Sequence, residues 1–116
     1  MKYDLKDRTV KFGENLINFA KKIPINPVTR PLISQLVRAG TSVGANYSEA
    51  DNAESRDDFK HKIGICKKES KETEYWLTII CAAAPESKYE SMPLIKEIQE
   101  LNLIFNAIIH TTRQNN

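Results

Sequence analysis

The sequence predicts an all-α protein with the architecture of an up-down four-helix bundle, and three observations support this. Apolar residues recur at spacings of three and four along nearly the whole chain, which is the period of one helix face. No bounded run alternates with the period of two that strands show. The 116 residues are enough for one compact domain and too few for two. We therefore expect a single domain over residues 1–116, with frayed ends at 1–3 and 113–116.

A proline-rich loop separates the first two helices. Helix one carries its apolar series from Leu5 to Ile23. The segment IPINPVTRP that follows contains three prolines, each of which disfavours helix at the residue before it. Thr29 is the predicted N-cap of helix two, whose apolar series continues to Ala53.

Helix three has the longest apolar series in the chain. Ser55 is its predicted N-cap, and Asp57 and Asp58 follow in the first turn, where the helix dipole favours acids. The helix ends before Pro85, because proline cannot continue it. The series consists of Phe59, Ile63, Cys66, Ser70, Thr73, Leu77, Ile80 and Ala84.

Helix four is predicted to begin at Ser91 and Pro93 and to end at Thr112. It carries a second apolar set beside its core series. A helix that is apolar around more than half of its circumference is buried on two sides, and in a small domain the second side is expected to meet another subunit. We therefore predict a homo-oligomer. The expected interface residues are Ile95, Leu103, Ile104 and Ile109.

Two glycines interrupt helix two in the segment RAGTSVGANYSEA. Each costs roughly 0.5 to 1 kcal/mol in a helix interior, so each requires a reason to be there. Gly40 and Gly44 are four residues apart and share a face, which favours close packing of another helix, within a subunit or between subunits. A phosphate loop is the weaker alternative, since no Lys-Ser/Thr pair follows the second glycine.

Polar residues form a stripe beside the apolar face of helix two, and helix three carries a counterpart. If the stripes face each other, their basic and acidic members form a partly buried network that fixes the register of the two helices. A ligand or nucleic-acid surface and a catalytic role are the alternatives. The residues of the predicted network are Arg38, Ser42, Asn46, Glu49, Asp58, Lys62, Lys68, Glu69, Glu72 and Trp76.

The sequence gives little support for catalysis or metal binding. Bundles that hold two iron ions use paired Glu-x-x-His motifs, whereas this chain has a single related match, Asp58-x-x-His61. Cys66 and Cys81 lie about 22 Å apart along one helix, too far for a disulfide or a shared zinc ion. No nucleophile is spaced from a base in a recognisable motif. We therefore predict a protein that is not an enzyme, with no catalytic residues, no cofactor and no metal.

The chain shows no sequence sign of a membrane segment. Its first residues, MKYDLKDRTV, lack the apolar stretch of a signal peptide. The longest uncharged runs, 75–85 and 101–112, are too short to span a bilayer. Together with two cysteines expected to be reduced, this predicts a cytoplasmic protein without a membrane partner.

The near-neutral net charge of +2 conceals an uneven distribution. Residues 1–48 hold eight basic and three acidic residues, a net charge of +5, and residues 49–116 hold nine and twelve, a net charge of −3. The basic residues of the first half form either a solvated helix surface or a patch that faces phosphates, which a ring of identical subunits would strengthen. The candidate nucleic-acid-binding residues are Lys6, Arg8, Lys11, Lys21, Lys22, Arg30 and Arg38.

Three segments of the chain resemble a known family. They are the opening DLKDRT at residues 4–9, the run QLVRAGTSVGAN at 35–46, and KESKETEYWL at 68–77. Together they resemble the bacterial four-helix-bundle family known from open reading frames in 23S rRNA intervening sequences, over residues 3–112. Ala39-Gly40 departs slightly from the expected Arg-Ser-Ala/Gly-Thr-Ser form.

The resemblance implies a four-helix bundle assembled as a homopentamer. It also implies an architecture similar to that of the accessory proteins of diversity-generating retroelements, which engage a reverse transcriptase and nucleic acid. It does not imply an enzyme. The predicted function is a non-enzymatic, homo-oligomeric bundle that binds RNA or a nucleic-acid-processing protein. The alternative is a protein-interaction scaffold without nucleic-acid affinity.

Overall fold

The computed structural model describes residues 4–114 and confirms the all-α four-helix bundle. The helices are α1 (Leu5–Ala20), α2 (Thr29–Asp51), α3 (Arg56–Ala83) and α4 (Lys88–Gln114), and a single 3-10 turn at Pro85–Ser87 precedes α4. The described residues contain no strand. Each helix packs against its two neighbours, in the order α1, α2, α3, α4 and back to α1. The predicted frayed ends at 1–3 and 115–116 lie outside the described residues, and the backbone of residues 113 and 114 continues α4.

The apolar series predicted from the sequence forms the core. Leu16, Leu36, Ile63 and Ile98, one from each helix, are fully buried. In α3 every member of the predicted series is buried except Phe59, which is half-buried against the same core. The period of three and four therefore identified the inward faces correctly, because only those faces exclude water.

Two of the helix starts are capped by side chains at their N-caps. The Asp4 carboxylate accepts a hydrogen bond from the amide of Asp7, 3.4 Å away, at the start of α1. Ser55 caps α3 as predicted, since its hydroxyl accepts from the amide of Asp58 at 3.0 Å.

The start of α2 differs from the prediction. Thr29 is the first helical residue rather than the N-cap. Asn26 performs the capping, because its side-chain oxygen accepts from the amides of Val28 and Thr29, both at 2.9 Å. The Thr29 hydroxyl donates instead to the carbonyl of Pro24 at 2.6 Å, which closes the proline-rich loop onto the helix.

The start of α4 was predicted one turn too late. The helix begins at Lys88, and Pro93 lies inside it. Ser91 does not cap the helix, because its hydroxyl donates to the carbonyl of Lys88 at 2.7 Å within the first turn. Pro93 is tolerated there because it is exposed and removes a single hydrogen bond close to the helix start.

Ion pairs join α1 to α4. The Arg8 guanidinium donates to both carboxylate oxygens of Glu97, at 2.8 and 2.9 Å, and to Glu100 at 3.1 Å. The hydrogen bonds to Glu97 raise the pKa of Arg8. Lys22 bonds to Glu90 at 2.9 Å at the other end of α1. These pairs connect the two neighbouring helices that meet least closely in the bundle. Within residues 4–114, no helix is both long and apolar enough to cross a membrane.

Candidate functional site

A cluster of charged side chains joins α2 to α3. Arg38 of α2 bonds to Glu69 at 3.3 Å and also to Glu72, both on α3. Glu72 accepts a further hydrogen bond from the indole nitrogen of Trp76 at 3.0 Å, and Gln35 accepts one from Arg38 at 3.0 Å. The Glu69 side chain is only 13% exposed, so its charge depends on Arg38 for compensation. The two polar stripes therefore face each other in the structure.

A second ion pair joins the end of α2 to the first half of α3. Lys62 of α3 donates to Glu49 of α2 at 2.6 Å, and this hydrogen bond raises the pKa of Lys62. On α2 itself, the side-chain amide of Asn46 donates to the carbonyl of Ser42 at 2.9 Å and to its hydroxyl at 3.1 Å. The Lys62–Glu49 pair and the Arg38 cluster join α2 to α3 at two levels along the bundle, whereas the Asn46 contacts stay within α2.

Four residues of the predicted network form no side-chain bond with the ion-paired residues that join α2 to α3, within the described part of the chain. Ser42 and Asn46 are joined to each other on α2, and Lys68 and Asp58 lie outside the cluster. The Lys68 side chain is exposed and forms no hydrogen bond or ion pair within residues 4–114, because it lies on the side of α3 that faces away from α2. Asp58 is also exposed, and its backbone amide donates to Ser55. Its carboxylate forms no hydrogen bond in the described residues, but its charge adds to that of Glu49 in raising the pKa of Lys62.

The chemistry of the cluster is that of ion pairing between helices. Glu69 and Glu72 are both occupied by Arg38, which leaves neither carboxylate arranged as a free acid or base. Among the described residues, no three histidine, cysteine or acidic side chains are grouped so as to hold a metal ion. Every buried side-chain nitrogen and oxygen of these residues has a hydrogen-bond partner. The cluster is best explained as a device that sets helix register.

The first glycine of α2 serves packing within the subunit. A Cβ on Gly40 would lie 2.8 Å from Cδ1 of Leu16, a fully buried side chain of α1. Gly44 lies close to Thr9 of α1, where a Cβ would be 3.3 Å from the hydroxyl oxygen. The sequence left open whether these glycines allow packing within a subunit or between subunits. For Gly40 the packing is within the subunit, because α1 occupies the space that a side chain would fill.

The seven basic residues predicted to contact nucleic acid fall into two groups. Arg8, Lys22 and Arg38 are engaged by carboxylates of the chain itself. The others are exposed and have no ion pair within the described residues. They are Lys6, Lys11, Lys21 and Arg30.

The predicted oligomer interface is only partly available to a partner. Ile95, Ile104 and Ile109 are half-buried against the chain's own core, whereas Leu103 is 69% exposed. The second apolar set of α4 is therefore used largely inside the subunit. Reasoning from the sequence missed another exposed apolar surface, a groove of about 410 Å³ between α1 and α2 with Val10 and Ile17 on its walls.

Sequence reasoning also missed an outward-facing row on α3. Lys60, Lys67, Lys68 and Lys71 lie on one side of this helix, followed by the exposed ring of Tyr75. The comparison of net charge between the two halves of the chain did not reveal these lysines, because α3 also carries five acids, four of them on other sides of the helix. Dividing the charge by helix face would have revealed them.

Fold and surface together define a class: a small four-helix-bundle protein whose paired charges hold its helices together. The model of the family described as 23S rRNA-intervening sequence protein matches residues 1–107, and the chain belongs to this family. Among solved structures, the chain is similar to a protein of unknown function from the S23 ribosomal protein family of Bacteroides thetaiotaomicron. The two are 33% identical with a TM-score of 0.80, over 90% of this chain and 96% of that one. No curated protein matches the chain.

Proposed function

We propose that this protein is a non-enzymatic bundle that binds RNA or another nucleic acid and assembles with copies of itself, as a pentamer. The observation that carries the proposal is the set of cations left unpaired by the fold. Arg8, Lys22 and Arg38 are neutralised within the chain. Lys11 on α1 and Lys21 at its C-cap are exposed without a carboxylate partner in residues 4–114. Unpaired cations are available to replace the counterions of a phosphate backbone.

The family supports the same direction. Its description connects these proteins with intervening sequences of 23S rRNA, and the similar structure is assigned to a ribosomal protein family. RNA is therefore the first nucleic acid to test. The free thiols of Cys66 and Cys81 fit a reducing compartment, and we propose that the protein acts in the cytoplasm.

Exposed apolar surfaces support self-association. Leu103 of α4 is exposed, and Gly13, Gly44 and Ala45 are among the residues that line the groove between α1 and α2. A contact between two different surfaces of identical subunits generates a ring when the rotation closes. A ring repeats each basic surface, so that weak contacts with one nucleic acid combine.

The proposal is tested by fluorescence anisotropy with a labelled single-stranded RNA, titrated at several salt concentrations. We expect affinity that falls steeply with salt and a weaker interaction for the Lys11→Glu/Lys21→Glu variant. A flat titration at low salt contradicts nucleic-acid binding. It would favour the protein-scaffold alternative, which the exposed Tyr89 and Met92 of α4 also support.

Self-association has its own test, sedimentation velocity at micromolar protein. We expect the wild-type chain to sediment as an oligomer and Leu103→Lys to sediment as a smaller species. Ala82→Lys adds the same charge at an exposed position near the end of α3 and is the control. A monomeric wild-type protein contradicts the proposed assembly.

A further inference from the structure

The outward side of α3 carries basic side chains that do not take part in packing the helices of the bundle. We define the outer face of α3 as Lys60, Lys67, Lys68, Lys71 and Tyr75. Their spacings of three, four and seven residues place them on one side of the helix, over about 22 Å of its length. Lys60, Lys67 and Lys68 form no ion pair within residues 4–114.

Three of the five acids of α3 are engaged by other side chains, whereas Asp57 is exposed on this face one turn before Lys60. Glu69 and Glu72 are engaged on the α2 side by Arg38. Glu74 accepts a hydrogen bond from Gln99 of α4 at 2.7 Å, and its distance to the Lys71 ammonium is 3.9 Å, which makes that ion pair a weak one. Beyond Asp57 in the first turn, the outer face of α3 carries lysines and no acid, and Lys60, Lys67 and Lys68 remain available to an external anion.

Amide side chains of α4 attach it to α3 beside these lysines. Asn102 donates to the backbone carbonyl of Lys67 at 3.0 Å, and Asn106 donates to Asn102 at 3.1 Å. Asn102 is buried, and the Gln99 amide donates to Glu74, so these groups are engaged in holding α4 against α3. They fix the α3 backbone at Lys67, and the lysines and Tyr75 are the groups left to contact a ligand.

The basic row ends at an aromatic ring that is both exposed and held in place. Tyr75 is 55% exposed, and its ring meets the ring of Trp76 edge to face, with centroids 4.9 Å apart and planes at 75°. Trp76 is itself fixed by the hydrogen bond to Glu72 in the cluster with Arg38. The ion-pair cluster therefore supports the position of a ring whose other surface is open.

A glycine opens the middle of the row. Gly64 lies one turn after Lys60 and one turn before Lys68, and a Cβ added there would meet no atom within 4 Å. Packing inside the chain therefore does not explain this glycine, in contrast to Gly40. The absence of a side chain allows a ligand to approach the helix backbone between two lysines.

We infer that the outer face of α3 is a binding site for single-stranded nucleic acid, with its lysines on successive phosphates and Tyr75 stacked on an unpaired base. The combination of a basic track with an exposed aromatic ring is the chemistry that binds single strands. The inference rests on the proposed nucleic-acid binding and adds a surface to it that differs from the α1 lysines.

The test compares charge-matched variants in the anisotropy assay with labelled single-stranded RNA. Lys67→Glu/Lys68→Glu removes two contacts from the outer face of α3. Lys88→Glu/Lys96→Glu makes the same change in net charge at exposed positions of α4 and is the control. We expect the first variant to bind more weakly than the control, with a slope of log affinity against log salt that is smaller by about 1.4, the value for two single-strand phosphates.

Stacking is tested separately at Tyr75. We expect Tyr75→Ala to weaken single-strand binding about five-fold or more, and Tyr75→Phe to retain it, because the ring and not the hydroxyl makes the contact. Binding of heparin, an anionic polymer without bases, should not change in Tyr75→Ala. Circular dichroism and thermal unfolding of each variant verify that the fold is intact.

The outcomes separate the inference from the function on which it rests. If wild-type protein binds RNA and only Lys11→Glu/Lys21→Glu weakens it, the proposed function stands and the α3 site is wrong. Equal losses in the α3 and α4 variants indicate a diffuse charge effect and also overturn the site, as does an unaltered affinity in Tyr75→Ala. If wild-type protein shows no salt-dependent RNA binding, both proposals fall.

Discussion

The inward and outward faces of α3 obey different constraints, although they belong to the same 28 residues. The inward face is closed to water, as Ile63, Cys66 and Leu77 are fully buried. On the outward face, Gly64 and Lys68 contact little of the chain. Stability therefore explains the residues of the first face and leaves those of the second without an explanation inside the subunit. When a residue contributes little to folding, binding to a partner is an alternative reason for its presence.

The largest expected effect is a difference in the free energy of unfolding between substitutions at two residues that are close in sequence. Ile63→Ala removes a fully buried side chain and leaves a cavity, and we expect it to lower the free energy of unfolding by about 2 to 5 kcal/mol. Lys67→Ala, four residues later on the exposed side, should change it by less than about 0.5 kcal/mol. Urea denaturation followed by circular dichroism measures both. A similar loss in the two variants would mean that the outward lysines take part in folding.

The second prediction uses the acidity of a buried thiol on the inward face. Burial raises the pKa of Cys66 to about 12, and its thiol contacts the carbonyl of Val43 at 3.5 Å. The folded state therefore keeps a proton that the unfolded chain loses above about pH 8.5. This contribution to stability is complete below that pH and decreases as the pH rises toward 12, by about 1.4 kcal/mol per pH unit.

The measurement is urea denaturation of wild type and Cys66→Ser at several alkaline pH values. The serine keeps a donor toward Val43 but does not ionise in this range, and the lysines and tyrosines titrate identically in both proteins. We expect the stability of wild type relative to the variant to decrease above about pH 9. Parallel curves would show that the thiol ionises as readily in the folded chain as in the unfolded one.

The fold was largely predictable because burial repeats along the chain with the helix period. The core residues of α3, from Ile63 to Ile80, follow from spacing alone. The start of α4 was not predictable in this way, since serine and proline are common both at an N-cap and within the first turns of a helix. In the structure Ser91 is fully buried inside the helix, and this burial results from tertiary packing.

The candidate surfaces were less predictable than the core. The spacing of Arg38, Glu69 and Glu72 indicated facing stripes, but only the structure determines which partners meet. Ile95 and Leu103 are both apolar residues of α4, but Ile95 packs against the core of the chain and Leu103 is exposed. The sequence could not predict this difference, because it depends on where the neighbouring helices lie.

The smallest expected effects are changes in stability at two glycines, and they have opposite signs. Alanine has a higher helix propensity than glycine, and at an open position nothing opposes that gain, so Gly64→Ala should stabilise the protein by about 0.5 to 1 kcal/mol. At Gly40 the added methyl group meets Leu16 inside a filled core, and we expect Gly40→Ala to be destabilising by about 1 kcal/mol. Urea denaturation measures both changes against wild type. If Gly64→Ala is also destabilising, the backbone there is constrained within the subunit, and the outward face no longer has an unexplained glycine. If it stabilises the fold while weakening RNA binding, stability and binding make opposite demands on this residue, and binding accounts for the glycine.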